Sequence, residues 1–289
     1  MQIDGWKYYN HAIIPTTAPH EEPNMIPIND GSIWRIGGGG TPLLTRWTTE
    51  FDCGYETNWW YVIKDTPFDI NALKAKRRYE INKGNKNFYV REINPSEWVE
   101  NIYEVAVAAY ATYPKSYRPN VSHEHFVSDI KAWNFYKVYG AFSINDGLLC
   151  GYACLKKQKT YIDFCMMKAV PSHENLGLNA AMVNHILVDH ANFLNDGGYI
   201  CDGARSINHE TSFQDYLEKY FGFRKAFCRL HITYNPKYEL VIKTLYPIRK
   251  ILLAGDKIGL IHQINSVLHM EEIARGNNEK SGINNNAIV

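Results

Sequence analysis

From Tyr136 the side chains change to period two. KVYGAFSI (137–144), the tight Asn145-Asp146-Gly147 connection and LLCGYACLKK (148–157) spell a β-hairpin. TYIDFCMMKAV (160–170) follows as a longer, more continuously apolar run, the pattern of a strand in the middle of a sheet. A long apolar helix is predicted over 178–195, then a strand at YICDGA (199–204), a helix at TSFQDYLEKYF (211–221) and a last strand at RKAFCRLHITY (224–234). This order, ββ-β-α-β-α-β, restricts the region to a sheet flanked by helices, an α/β or α+β class. It also singles out PSHENLGLNAAM (171–182), where the central strand turns into the long helix.

The chain before this region is less regular. Residues 1–66 are rich in aromatics, Pro and Gly, with β-like runs at SIWRI (32–36) and NWWYVI (58–63). The GGGG at 37–40 precedes TPLL, not a lysine and a helix, so it is a glycine turn in preference to a phosphate loop. In DINALKAKRRYEINKG (69–84), Asp69 is placed to cap a helix, Ile70, Leu73 and Ile81 recur at helical intervals, and Gly84 stands just past the expected end. Its Lys74, Lys76, Arg77, Arg78, Lys83 and Lys86 form either a solvated face or an anion-binding one. NFYVREI (87–93) is a predicted strand, Ser96 opens a predicted helix, and a second helix is expected near SHEHFVSDIKAW. His123 and His125 alternate in that helix and cannot share a face, which argues against a metal pair. Residues 237–275 form amphipathic helices broken near Pro247 and Gly255, with a polar tail from 276. The organisation expected is thus 1–95, 96–236 and 237–289.

With 45% hydrophobic residues the 289-residue chain can bury a sizeable core, and a net charge of +1 excludes any global field for nucleic acid or membrane. The six cysteines lack paired CxxC spacing, so reduced buried thiols are expected, with no zinc site or disulfide framework. No leader pattern and no run of eighteen apolar residues occurs, so a soluble, cytoplasmic protein without a membrane span is expected.

The element order from 136 to 234, with KAVPSHENLGLNAAMVNHILVDHA and NHETSFQDYLEKYFGFRK, resembles the GNAT acyltransferase superfamily. The basic LKAKRRYEINKGNK segment upstream and CDGAR before FGF resemble, more narrowly, the Fem-type aminoacyltransferase-like GNAT proteins, which carry two tandem GNAT-like halves. The resemblance implies a mixed, mostly antiparallel sheet flanked by helices, with an abbreviated N-terminal half and C-terminal helices. It further implies an N-acyltransferase using acetyl-CoA or another acyl-CoA as co-substrate and no metal. The acceptor would be an amine of a small molecule, such as an amino sugar of surface polysaccharide. The alternatives are a Fem-like enzyme that uses aminoacyl-tRNA, the one case in which nucleic acid is a partner, and a non-catalytic binding module.

By the same resemblance, backbone N–H groups near Met167, Lys168, Ala169 and Val170 would hold the pantetheine arm and thioester oxygen. Asn175, Leu176, Gly177, Leu178 and Asn179 would hold the diphosphate, where a helix start favours negative charge. Glu174 brings a like charge to that turn, and its orientation decides whether it interferes. Tyr216, with Tyr220 as competitor, matches the tyrosine that protonates the leaving thiolate. Asp163, on the face of Cys165 and Met167 by strand alternation, is the candidate base, with Asp202 and Glu210 flanking the next strand end. Arg205 beside Asp202 reads as a structural ion pair.

Overall fold

The computed structural model describes residues 3–37, 40–114, 118–207, 212–255 and 259–284. In chain order these form β1 (Trp6–Tyr9), β2 (Ala12–Pro15), α1 (Ile26–Asn29), β3 (Leu44–Thr49), β4 (Trp59–Lys64), α2 (Ala75–Asn87), β5 (Phe88–Ile93), α3 (Val99–Ala111) and α4 (His123–Lys131). They continue with β6 (Lys137–Ser143), β7 (Leu149–Lys157), β8 (Tyr161–Ala169), α5 (Pro171–Glu174), α6 (Leu178–Asp189), α7 (Ala191–Asn195), β9 (Tyr199–Ala204), α8 (Ser212–Phe221) and β10 (Arg224–Tyr234). The C-terminal part holds α9 (Pro236–Leu245), α10 (Arg249–Leu252) and α11 (Gly259–Asn284). The class is α+β, with mixed, mostly antiparallel sheet flanked by helices.

Two compact units result: Met1–Tyr61 with Ala204–Thr211 and Lys225–Val289, and Val62–Gly203 with Ser212–Arg224. In the first, β1 and β2 are an antiparallel hairpin, β2 runs parallel to β3, and β3 is antiparallel to β10 from Leu44↔Tyr234 to Thr49↔Arg229. Trp6, Ile13, Ile33 and Ile36 form one buried cluster, and Trp59, Cys228, Leu230 and Ile273 form another with Met270 packed against it. SIWRI is not a strand. Gly31 starts from a left-handed φ of 74°, Asp30 accepts the Ser32 N–H at 2.9 Å, and Ser32–Arg35 closes as a 3-10 turn that buries Ile33.

The second unit orders its strands β9-β8-β7-β6-β5, antiparallel from β8 to β5, with β9 parallel to β8. One face is filled by α3 and α4, with Ile102, Val105, Ala106 and Ile130 against Val138, Phe142, Tyr152 and Cys154. On the other face lies α6, which brings Leu178 and Met182 over the bare backbone of Gly151. The long helix expected here breaks at His190 into α6 and α7.

The basic helix differs from its expectation in a way that matters below. Asp69 caps only a 3-10 turn over Ile70–Ala72, where it accepts the Asn71 N–H at 2.8 Å. The helix proper starts at Ala75 and runs through Gly84 to Asn87. Gly84 is therefore an interior, buried residue and not a terminator. Its role is close approach: a Cβ there would lie 2.3 Å from the Gly177 carbonyl oxygen and 3.0 Å from the Ala181 Cβ. In the C-terminal part, α11 continues beyond 276, where composition suggests fraying.

Candidate active site

The central feature of the second unit is a fork in the sheet. β8 pairs with β9 only at Tyr161↔Tyr199, Ile162↔Ile200 and Asp163↔Cys201. On its other edge it stays paired with β7 as far as Ala169↔Gly151. Residues 164–169 thus have a strand ladder on one side alone among the described residues. Antiparallel pairs alternate between hydrogen-bonded and non-bonded residues. The Val170 N–H donates to the Cys150 carbonyl at 2.8 Å. Counting back, Lys168 also faces β7, whereas Met167 and Ala169 turn their N–H groups to the open edge. Of the four backbone donors named from the sequence, these two are the ones aimed into the fork.

A bulge at Cys165 breaks the simple alternation, since Leu155 opposes Phe164 while Cys154 opposes Met166. Asp163, paired with Lys156, therefore shares its face with Met166 and Lys168 and not with Met167. Lys168 extends to the α3 side, where its Nζ donates to the Tyr113 hydroxyl at 2.8 Å and lies 5.1 Å from the Tyr110 ring centre. Burial pushes the Cys165 thiol up to about 12, and its Sγ donates to the Asp163 carbonyl at 3.5 Å. Such a thiol is not a nucleophile at neutral pH.

Asp202 is one residue past the last β8–β9 pair, at the base of the fork. Burial pushes its carboxyl up to about 7, the Gln214 side chain holds it back, and the neighbouring Asp163 charge raises it further. Gln214 Nε2 also donates to the Asp202 carbonyl at 3.4 Å. The cause is thus mainly desolvation, with like-charge repulsion behind it. A carboxyl that titrates near neutrality at the opening of a sheet is suited to take a proton.

Arg205 does not form the expected ion pair: its Nη1 donates to the Asn58 carbonyl at 2.8 Å and its guanidinium lies 4.5 Å from the Trp60 ring centre. Glu210 lies outside the described residues.

Tyr216 sits on α8 among Phe213, Tyr220 and Phe221. Burial raises its hydroxyl above the ordinary tyrosine range, Glu80 adds to this, and Arg77 opposes it. It remains a proton donor at neutral pH. Its competitor Tyr220 carries the Arg77 guanidinium 3.3 Å from its ring centre, and Arg77 in turn pairs with Glu80 at 2.8 Å.

The turn from β8 into α6 is tighter than a phosphate loop. Pro171–Glu174 forms the short helix α5, and Gly177 caps α6 from a left-handed φ of 87°. Leu176 N–H donates to the His173 carbonyl and Gly177 N–H to the Glu174 carbonyl, both at 3.0 Å, and the Asn175 N–H turns back to His173 as well. Of the five residues named for the diphosphate, Leu178 and Asn179 keep N–H groups at the start of a helix without an intrahelical acceptor, and Ala180 joins them. Asn179 Oδ1 is buried and makes no hydrogen bond among the described residues. Glu174 is exposed, and its charge still reaches the Tyr216 hydroxyl.

The other side of the turn is covered by α2. Lys83 Nζ donates to the Asn175 carbonyl at 2.7 Å and Asn87 Nδ2 to the Leu176 carbonyl at 3.2 Å. A Cβ on Gly177 would meet the Glu80 carbonyl and the Gly84 nitrogen, both at 2.8 Å. The glycine pair Gly84/Gly177 was the legible signal of this contact, but a helix-ending glycine and a loop glycine look the same in sequence.

No protein-family model and no curated protein matches the sequence. Solved structures similar to the chain include L-PGS from Bacillus licheniformis, at 10% identity over 83% of each chain with a TM-score of 0.48. FemX is similar at 11% identity over 63% of each chain, with a TM-score of 0.45. A tandem GNAT protein from the clavulanic acid biosynthesis pathway is similar at 10% identity over 78% of this chain and 75% of that one, with a TM-score of 0.44.

Proposed function

We propose that this chain is an N-acyltransferase whose chemistry takes place at the β8–β9 fork, with an acyl-CoA as donor and a small-molecule amine as acceptor. The observation that carries this is the juxtaposition of an open strand edge, bearing the Met167 and Ala169 N–H groups, with a carboxyl at Asp202 that titrates near neutrality. The donor would supply an activated thioester carbonyl. The open-edge N–H groups hold that carbonyl oxygen where negative charge develops. Asp202 takes the proton from the attacking nitrogen, the C–N bond forms as the C–S bond breaks, and Tyr216 gives the leaving sulfur its proton. Burial keeps the Asp202 pKa high, and the neighbouring Asp163 charge adds to it.

For the diphosphate, the available donors are the N–H groups of Leu178, Asn179 and Ala180 at the α6 start, and the exposure of Glu174 leaves its like charge screened by solvent. One observation favours a second donor. α2 is seated against Gly177, and Lys74, Lys76 and Lys86 of this segment are exposed, so the phosphates of an aminoacyl-tRNA would meet a row of cations there.

Thiol release from acetyl-CoA in the presence of a panel of amines and amino sugars tests the first reading. Amine-dependent release that disappears in Asp202→Asn supports it. Release from no acyl-CoA tried, together with salt-sensitive binding of aminoacyl-tRNA, replaces it with the second. If neither donor binds, the fork is a binding module.

A further inference from the structure

The first unit contains a cation that nothing in the proposed chemistry uses. Arg46 lies on β3 opposite Ile232 of β10, on the same face as Thr48 and Leu44 and beneath α11. One guanidinium nitrogen, Nη1, contacts the Met270 sulfur at 3.7 Å, and the group lies 5.4 Å from the Trp59 ring centre. Among the described residues no carboxylate is within ion-pair distance of it. The nearby acid on α11, Glu271, is committed to Arg275 at 2.7 Å and to the Tyr234 hydroxyl at 2.8 Å. Burial pulls the Arg46 guanidinium below its ordinary range, and only the Tyr61 and Tyr9 hydroxyls work against this.

A guanidinium cannot shed its charge, so a half-buried one without an anion is costly to keep. The indole it overlies carries a second unmet donor: Trp59 is 2% exposed, and among the described residues its N–H has no hydrogen-bond partner. Around the two donors stand the Met270 thioether, the Trp59 ring and Tyr61, whose hydroxyl lies 3.4 Å from that of Thr48. The donors ask for one planar acceptor with two oxygens, and the walls ask for an apolar or aromatic body. A single cation balances a single negative charge. A phosphate dianion would be left undercompensated here, so a carboxylate is the better match.

We propose that Arg46 and Trp59 form a binding site for the carboxylate of a small organic acid, within the first unit and independent of the acyl-transfer reading. Benzoate is a suitable probe, with benzamide as its uncharged counterpart and inorganic phosphate as the competing anion. Thermal melting of the full chain should rise with benzoate and not with benzamide, and phosphate at the same concentration should give a clearly smaller rise. In Arg46→Met the benzoate affinity should fall on the order of 10- to 100-fold, the contribution of a charge-assisted pair. Without any ligand that variant should melt at the same temperature as the parent or higher, because the lone buried charge is gone. Arg46→Lys, which keeps the charge and loses the fork, should retain only weak benzoate binding. A benzoate response equal in the parent and Arg46→Met overturns the site. So does an unliganded Arg46→Met that melts well below the parent, which would make Arg46 a structural cation. An equal response to phosphate overturns the carboxylate.

Discussion

The fork and the turn lie at opposite ends of the same short stretch, residues 163–179, and they solve the problem of unpaired backbone differently. At the fork, β9 stops pairing with β8 after Cys201 and, among the described residues, no strand replaces it along 164–169, so backbone donors are left on an open edge. At the turn, α2 moves in until Gly84 touches Gly177, and Lys83 and Asn87 take two of the exposed carbonyls. Unpaired polar backbone must be satisfied by something. The first end keeps its groups available and the second has given most of them to the protein, so in the function proposed the chemistry belongs to the fork and the turn serves stability.

The largest effect that would separate these roles is on rate. Asp202→Asn should lower kcat roughly 10²- to 10⁴-fold, the range of a general base, with a melting temperature at neutral pH at or above that of the parent. The accompanying pH profile has a definite sign. Because folding raises the Asp202 pKa from 3.8 to about 7, the native state holds a proton that the unfolded chain has lost between those values. Stability contributed by this group therefore falls as pH rises through that window, while activity that requires the carboxylate rises toward and beyond 7. Asp202→Asn should remove the descending part of the stability profile. If activity in the parent is flat from pH 5 to 8, Asp202 is not the base.

At the turn the expected effect is on folding. Gly84→Leu forces bulk into a gap where even a Cβ would stand 2.3 Å from the Gly177 carbonyl oxygen, and should cost about 1–3 kcal/mol or more in urea denaturation. Gly177→Ala adds a Cβ both to a left-handed residue and to the same contact, and should cost about 1–2 kcal/mol from the backbone alone. The two sites share a contact, so the double variant should be less destabilised than the sum of the singles. Additive losses would mean that α2 and the turn do not depend on each other, and the contrast with the fork would fail.

Much of the second unit was legible because its signals are local. The hairpin at 137–157, the central strand and the helices after it follow from period, turn chemistry and apolar runs, and the strands appear within a residue or two of where the letters place them. The first unit was less so: SIWRI has strand-like letters, yet the Asp30 side chain and the φ of Gly31 turn it into a 3-10 segment. For the site, the sequence pointed at β8 and at the turn but could not rank their donors. Which N–H groups face the fork depends on pairing with β7, and the bulge at Cys165 that moves Asp163 to the Lys168 face has no mark in the letters FCMMK. Asp202 was visible as an acid near a strand end, but its raised pKa comes from burial and from Asp163 across the strand pair, and burial is a tertiary property.

The smallest expected effect concerns Glu174, the residue that raised the sharpest objection to nucleotide binding. It is exposed and has only a minor influence, the last of five, on the Tyr216 hydroxyl. Glu174→Gln should leave stability within about 0.5 kcal/mol of the parent, as surface substitutions do. If a diphosphate is held at Leu178–Ala180, removing this negative charge should lower the KM for the acyl-CoA by a few-fold at low salt, and the gain should fade as salt is raised, because exposed charges interact by about 1 kcal/mol or less and are screened. An unchanged KM at every ionic strength would place the donor's charged part elsewhere, leaving the turn a purely structural joint and the fork the sole point of contact with the donor.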